Sequence, residues 1–94
     1  MELWWANYRG KKNRTILFLY LGEAGGKVVG LETEYVTPGD AAVIKASSRE
    51  LDGLSLDRRL KWVKRYCPNS YRTAVRTIHS ANLHLLDKYQ INKL

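Results

Sequence analysis

Hydrophobic positions alternate or cluster in three short stretches of the first third of the chain, and this pattern predicts three β-strands. The stretches are Glu2–Tyr8, Thr15–Leu21 and Lys27–Val36. The middle stretch is apolar from its second residue onward, which is typical of a central strand that is covered on both faces. Short polar segments that contain glycine, residues 9–14 and 22–27, join the three stretches. We therefore expect an antiparallel meander.

Two adjacent tryptophans, Trp4 and Trp5, lie in the first predicted strand. Successive side chains of a strand point to opposite faces of the sheet, so one ring is expected in the core. The other ring either lies under a helix or is exposed as a contact, where tryptophan is common in binding hot spots. We expect both rings to be mainly structural, because large aromatic side chains anchor small cores.

A helix is predicted to follow the third strand. Thr37–Asp40 (TPGD) is a strong helix start, with threonine as the N-cap, proline at the first helical position and the acid at the capping-box spacing. The helix is expected to continue to about Leu51, with a possible second start at Ser47. Because Val43–Ile44 is β-branched, a short strand at this point is the alternative.

The clearest helical periodicity runs from Ser55 to Tyr89 and predicts two helices separated at Pro68, because the residue before a proline is pushed out of the helical region. Ser55 is a good N-cap, and Asp57 lies in the first turn, where the helix dipole favours an acid. Either residue of Asn69–Ser70 can cap the second helix. The apolar residues of the first helix are Leu56, Leu60, Val63 and Cys67, and those of the second are Tyr71, Ala74, Val75, Ile78, Ala81, Leu85 and Tyr89.

Together these elements predict an α+β fold of order βββααα, in which a three-stranded antiparallel meander is followed by two or three helices packed on one sheet face. Residues 1–94 are expected to form a single domain, with a sheet part (1–36), a first helical segment (37–54) and a basic helix pair (55–90). Asn82 interrupts the last apolar stripe, and such a residue can fix the register of packed helices or of a dimer. A monomer and a helix- or sheet-mediated homodimer both remain open.

The net charge of +7 is unevenly distributed. Residues 1–47 contain six Lys/Arg and five Asp/Glu, giving +1, whereas residues 48–94 contain ten and four, giving +6. A hydrophobic fraction of 45% indicates a folded chain, so this charge lies on the surface of a structured protein. Two interpretations are open: the charged helices are simply solvated, or they bind an acidic partner.

The basic side of the first predicted helix is the candidate binding surface, because phosphate-dominated binding requires several cations on one accessible face. Trp62 or Tyr66, on one flank of this side, could stack on an unpaired base. The partner would be a nucleic acid of unknown type or an acidic protein surface. The candidate residues are Arg58, Lys61, Lys64, Arg65, Arg72, Arg76 and Trp62, together with Lys11, Lys12 and Arg14 of the first polar turn.

Two motifs with catalytic or cofactor potential are incomplete. The glycine-rich segment Gly22–Lys27 has three residues before Gly-Lys instead of four, and a valine follows in place of serine or threonine. Glu32 and Glu34 share one face of the third predicted strand, but no third acid or nearby histidine completes a metal site. We therefore predict a solvated strand face and no metal.

The histidine and cysteine residues give no stronger indication of a metal or catalytic site. His79 and His84 are five residues apart, whereas two metal ligands on one helix are three or four apart. Cys67 has no cysteine partner at metal spacing, and a lone cysteine is more often a buried structural thiol than a nucleophile. We expect no cofactor and no enzymatic activity.

The setting is predicted from the same residues. A single cysteine permits no internal disulfide, so a reducing, cytoplasmic environment is expected. The longest apolar run, Ile16–Leu21, is far too short to cross a membrane. No signal peptide is expected, because no charged region followed by an apolar run opens the sequence.

Two functions are carried forward. The first is a small non-catalytic protein that binds nucleic acid through a basic helical surface. The second is a protein-binding regulator or inhibitor, such as a phage or mobile-element accessory factor that acts on a host nucleoprotein complex; size and charge alone suggest it. Salt dependence separates them, because phosphate contacts weaken steeply with salt whereas protein docking depends on aromatic anchors such as Trp4, Trp5 or Trp62.

Overall fold

The computed structural model describes residues 3–9 and 15–90, which form one five-stranded antiparallel sheet with four α-helices against one of its faces. The strands are β1 (Trp4–Arg9), β2 (Thr15–Ala24), β3 (Lys27–Glu32), β4 (Val75–His79) and β5 (Leu86–Gln90). The helices are α1 (Pro38–Ala46), α2 (Ser48–Asp52), α3 (Leu56–Tyr66) and α4 (Pro68–Ala74), and 3-10 turns cover Thr33–Tyr35 and Ser80–Leu85.

The predicted meander is confirmed, and β2 is its central strand. The strand order is β4-β3-β2-β1-β5, and Leu19 of β2 pairs with Trp5 of β1 on one side and with Leu31 of β3 on the other. The β2–β3 hairpin turns at Gly25 and Gly26, whose φ angles are 60° and 75°. Two successive residues with positive φ are what a tight two-residue hairpin turn requires, and glycine adopts them without strain.

Helix boundaries in the middle of the chain also follow the sequence signals. Thr37 caps α1 by accepting a hydrogen bond from the backbone nitrogen of Asp40 at 3.1 Å. The helical segment breaks at Ser47, which confirms the second start, and no strand forms at residues 43–44. Ser55 caps α3 by accepting from the backbone nitrogen of Arg58 at 3.4 Å, and α3 ends before Pro68.

The prediction of a second long helix is wrong, and with it the order βββααα and the helix pair over residues 55–90. Helix α4 ends at Ala74; β4 then pairs with β3, and β5 pairs with β1. Val75, Thr77 and Ile78 are β-branched, which favours a strand. The two new strands also cover the outer edges of β3 and β1, whose backbone groups would otherwise lack partners.

Two smaller boundaries differ from expectation. Strand β3 ends at Glu32 and is followed by a 3-10 turn, whereas the sequence predicted a strand to Val36. Helix α4 begins directly at Pro68 with Cys67 at its N-cap and no side-chain capping bond, so neither Asn69 nor Ser70 is the cap. Proline suits this position because its missing N–H belongs to the groups that a helix start leaves unpaired.

The sheet has a buried cluster on each face. On the helix side, strand residues such as Trp5, Leu19 and Leu31 pack against residues of all four helices. On the second face, Ala6, Phe18, Tyr20, Val28 and Leu86 form a smaller cluster. The segment 80–85 connects β4 with β5 at opposite sheet edges and contributes Asn82 to this second face.

Trp4 and Trp5 point to opposite faces, as predicted. Trp5 is buried in the helix-side cluster, while Trp4 is half-buried on the second face. The ring of Trp4 stacks on Tyr20 with centroids 4.1 Å apart and planes 7° from parallel, and Lys88 Nζ lies 4.9 Å from its centroid. Both tryptophans therefore take part in internal packing.

Arg59 is a charged residue inside the helix-side core, with 0% of its surface exposed. Its guanidinium Nε donates to the carbonyl oxygen of Leu51 at 2.7 Å, Nη1 donates to Leu21, and Nη2 donates to Asp52 at 3.1 Å. Burial lowers the pKa of Arg59, and the charges of Asp52 and Tyr20 oppose that shift. The side chain joins α3 to the end of α2 and to β2.

Replacing Arg59 with lysine should test this connection. An ammonium group keeps the charge but cannot reach three carbonyl oxygens with the planar guanidinium fork. We expect Arg59→Lys to lower the free energy of unfolding by about 2–4 kcal/mol, measured by urea titration of tryptophan fluorescence. The control is Arg58→Lys on the exposed side of α3, for which a change within about 0.5 kcal/mol is expected. Equal losses in both variants would contradict the role of Arg59.

Gly30 offers a second test of packing. A Cβ atom at this position would overlap the Leu19 carbonyl oxygen and the Phe18 ring, whereas a Cβ at Gly39 would meet nothing within 4 Å. We expect Gly30→Ala to destabilise the fold by about 2–4 kcal/mol through overpacking. Gly39→Ala, the matched control, should be neutral or slightly stabilising in the same thermal or urea unfolding measurement.

Candidate nucleic-acid interface

Helix α3 presents a basic face to solvent. Leu56, Arg59 and Val63 face the core, and this fixes the orientation of the helix. Apart from Leu60 and Trp62, which are half-buried, the other side chains of α3 are exposed, and they include the four cations that the sequence placed opposite the apolar stripe. This set, called the α3 basic face below, is Arg58, Lys61, Lys64 and Arg65.

The electrostatics of the α3 basic face are dominated by cations. Asp57 is the only acid in α3, and its carboxylate lies 3.2 Å from Lys61 Nζ. Both side chains are 76% exposed, so water and salt screen this pair and Lys61 stays available to another anion. Lys64 and Arg65 lie in the last turn, where the helix dipole favours positive charge.

Two aromatic residues border the α3 basic face. The Trp62 and Tyr66 ring centroids are 4.9 Å apart with planes tilted by 46°, and the Arg65 guanidinium lies 5.5 Å from the Tyr66 centroid. Trp62 is half-buried against the helix-side core, whereas Tyr66 is 55% exposed. Of the two aromatic residues that the sequence offered for stacking, Tyr66 is thus the accessible one.

Arg72 and Arg76 lie on different elements, α4 and β4, and not on one helix. Arg72 is exposed on α4 and donates to the Asn69 side-chain oxygen at 3.3 Å. Arg76 lies on β4, where neighbouring Val75 faces the helix side, so Arg76 points to the second sheet face. The sheet therefore separates Arg76 from the α3 basic face.

The guanidinium of Arg76 is held by three polar contacts, although its side chain is 45% exposed. Its Nε lies 3.3 Å from a carboxylate oxygen of Glu32, and Nη1 donates to the carbonyl oxygens of Thr73 and Val75 at 2.8 Å each. The Tyr35 ring lies 5.4 Å away. Thr73 is in the last turn of α4, so Arg76 satisfies a carbonyl that the helix end leaves open.

The remaining candidate cations, Lys11, Lys12 and Arg14, lie outside the described residues. Their predicted role as a phosphate-contacting turn stays a prediction. The helical cations alone therefore define the interface that the structure describes.

The acidic and histidine candidates do not assemble into a site. Glu32 is buried on β3, whereas Glu34 is exposed in the following 3-10 turn, so the two carboxylates do not share a strand face. His79 is exposed on β4, where Nδ1 accepts from the backbone nitrogen of Ala81 at 3.3 Å, and the His84 side chain lies outside the described part. Within residues 3–9 and 15–90, no three His, Cys, Asp or Glu side chains are grouped to hold a metal ion.

Cys67 is a buried thiol. Burial raises the pKa of Cys67 to about 11, and the charge of Asp40 and a hydrogen bond to it act in the same direction. Asp40 also accepts a hydrogen bond from the Ser70 hydroxyl at 2.5 Å. Since the thiolate is the nucleophilic form, this environment suppresses reactivity.

Comparisons with known proteins identify no relative: no family model, no curated protein and no solved structure matches the chain. In the part of the chain that the structure describes, no helix has the length and apolar character needed to cross a membrane. The functional argument therefore rests on the geometry of the molecule.

The environment of Cys67 predicts slow alkylation of the folded protein. At pH 8 we expect iodoacetamide to modify Cys67 only after urea unfolding, as measured by mass spectrometry. Because folding raises this pKa from 9.0 to about 11, the neutral thiol stabilises the fold below about pH 9, and this contribution is lost as pH rises through 11. Rapid native-state alkylation at pH 8 would contradict this assignment.

Proposed function

We propose that the protein is a non-catalytic nucleic-acid-binding protein that contacts phosphates through the α3 basic face. The observation that carries the proposal is that four cations are exposed on one short helix whose only acid, Asp57, forms a screened surface pair. Cations clustered on one accessible face supply the sequence-independent part of nucleic-acid affinity.

The shape of the face favours contact with the backbone over reading of bases. Eleven residues of α-helix span about 16 Å, enough to lie along several phosphates of a duplex that carries one charge per ~1.7 Å. The next helix, α4, has seven residues and one basic residue, Arg72. A recognition helix inserted in the major groove would present several base-reading side chains. We therefore propose contact with phosphates and not reading of bases.

One observation favours the second function, a protein-binding regulator or inhibitor. Tyr66 is exposed beside Arg65, and tyrosine and arginine are the residues that most often dominate protein interfaces. A phage or mobile-element factor that docks on an acidic surface of a host nucleoprotein complex would use the same face. For either function we propose a cytoplasmic location, where the single free thiol stays reduced.

Fluorescence anisotropy with labelled single- and double-stranded DNA and RNA tests the first function. With four phosphate contacts, log K should fall against log salt with a slope of about −2.8 on single strands to −3.6 on duplexes. Replacing Arg58, Lys61 or Arg65 singly with alanine should remove about 0.7–0.9 from the magnitude of the slope. Loss of one phosphate contact also corresponds to roughly fivefold weaker binding near 0.1 M salt.

Lys88→Ala is the charge-matched control. Lys88 lies over Trp4 on the second sheet face, away from α3, so this variant should keep both the affinity and the slope. If Lys88→Ala weakens binding as much as the α3 variants, or if no binding survives near 0.15 M salt, the nucleic-acid proposal fails. A partner whose capture is insensitive to salt but abolished by Tyr66→Ala would favour protein docking instead.

A further inference from the structure

The second sheet face contains a cavity of about 380 Å³ that is distinct from the α3 basic face. Its described lining comes from β1, β2, β3 and β4 and from Asn82 of the connecting segment. Exposed residues of β4, Thr77 and His79, form part of the lining, so the cavity opens to solvent. The volume is at the lower end of small-molecule sites and suits a ligand of one fused ring system.

A carboxylate with spare acceptor capacity lines this cavity. Glu32 is only 7% exposed, and its contact is the salt bridge from one carboxylate oxygen to Arg76. An ionised carboxylate has about four lone-pair positions, so most of the capacity of Glu32 is unused. Because Arg76 is exposed, the pair lies where a ligand can reach it, and a ligand that donates to Glu32 would use this acceptor capacity.

The charge of the pair limits the class of ligand. Arg76 neutralises Glu32, and the carbonyl oxygens of Thr73 and Val75 hold the guanidinium from the other side. The pair is therefore fixed in place and has no net charge. A ligand need not be cationic to bind beside it; it needs N–H groups that point at the carboxylate.

The walls favour a flat ligand. Phe18 is buried and packed directly over Gly30, where a Cβ atom would overlap its ring, so the aromatic wall cannot shift toward the sheet. Tyr8 provides a second, half-buried aromatic side chain. Aromatic walls stack on planar rings at little entropic cost, since their own orientation is already fixed.

Two polar groups at the rim can complete the contacts. Asn82 is half-buried and provides both an acceptor and donors through its side-chain amide. His79 at the end of β4 also lines the rim, and its Nδ1 accepts a hydrogen bond from the backbone nitrogen of Ala81. The cavity thus combines a fixed acceptor, aromatic walls and donors at its edge.

We propose that this cavity binds a neutral planar heterocycle with two adjacent N–H donors, the 2-aminopyrimidin-4-one edge that guanine and pterins share. Two parallel N–H groups match a carboxylate in the fork geometry that gives strong, directional hydrogen bonds. Adenine and cytosine present an amino group next to an acceptor, and uracil presents one N–H between two acceptors, so each matches Glu32 less well. This inference does not depend on the function proposed for α3.

Titration of the ¹⁵N-labelled full chain with guanosine, followed by two-dimensional NMR, tests the proposal. We expect backbone amide shifts at Phe18, Ile78 and Asn82, and an affinity for guanosine at least tenfold greater than for adenosine or cytidine. Glu32→Gln should lower the guanosine affinity at least tenfold, because the amide replaces one acceptor with a donor. Lys61→Ala on α3, the control, should leave guanosine binding unchanged.

If Glu32→Gln does not fold, the chemical-shift changes of the wild-type protein still decide the test. Guanosine-induced shifts confined to α3, no shifts at all, equal affinity for adenosine, or unchanged guanosine affinity in a folded Glu32→Gln protein would each overturn the proposal. Parallel titrations with pterin and with a single-stranded RNA hexamer containing one guanine identify the source of the ring. Tighter binding of the nucleoside, the pterin or the hexamer supports a free nucleotide, a pterin or an unpaired RNA base, respectively.

Discussion

The burial of Arg59 is the constraint on which the arrangement of the helices depends. Moving a guanidinium out of water is expensive, and the structure offsets that cost with three carbonyl oxygens. Two of them belong to the end of α2, where the Leu51 oxygen also accepts from the backbone nitrogen of Leu54 at 3.1 Å. The third is that of Leu21, at the point where the β2–β3 register shifts between Tyr20 and Gly22 and leaves Leu21 without a partner in β3.

This arrangement explains why the other cations of α3 face solvent. Arg59 lies between Leu56 and Val63 on the buried side, so the helix is held by an apolar stripe and a polar anchor at once. A rotation that exposed Arg59 would bury Lys61 or Lys64 beneath the sheet without carbonyls to receive them. The orientation of the candidate interface is therefore fixed from inside the core by Arg59, which is itself buried.

Local signals predicted most of the first two thirds of the fold. The caps at Thr37 and Ser55, the break at Ser47 and the tight turn at Gly25–Gly26 need only neighbouring residues, and the structure contains each of them. The last two strands were missed because apolar residues at 71, 74, 75 and 78 fit a helix as well as a strand. What decides between them is pairing with β3 and β1, which lie far away in the sequence.

The candidate site, like the fold, could be predicted from the sequence only in part. Exposure of the α3 cations followed from the apolar stripe of Leu56 and Val63, whereas the roles of Arg59 and Arg76 did not. Each of these arginines bonds to carbonyl oxygens that become available only once the sheet and helix ends are in place. The sequence did contain one indication that Arg59 is buried. It lies three residues after Leu56 and four before Val63, on the buried side of the helix.

The pairing of β1 with β5 has a consequence for synthesis of the chain. Trp4 pairs with Gln90, so the outer edge of β1 does not gain β5 as its partner until residues 86–90 have left the ribosome. During that interval β1 and β2 can form their hairpin, but an open edge that carries two tryptophans remains available to other nascent chains. The fold thus leaves the outer edge of β1 open until β5, which lies far along the sequence, is made and pairs with it.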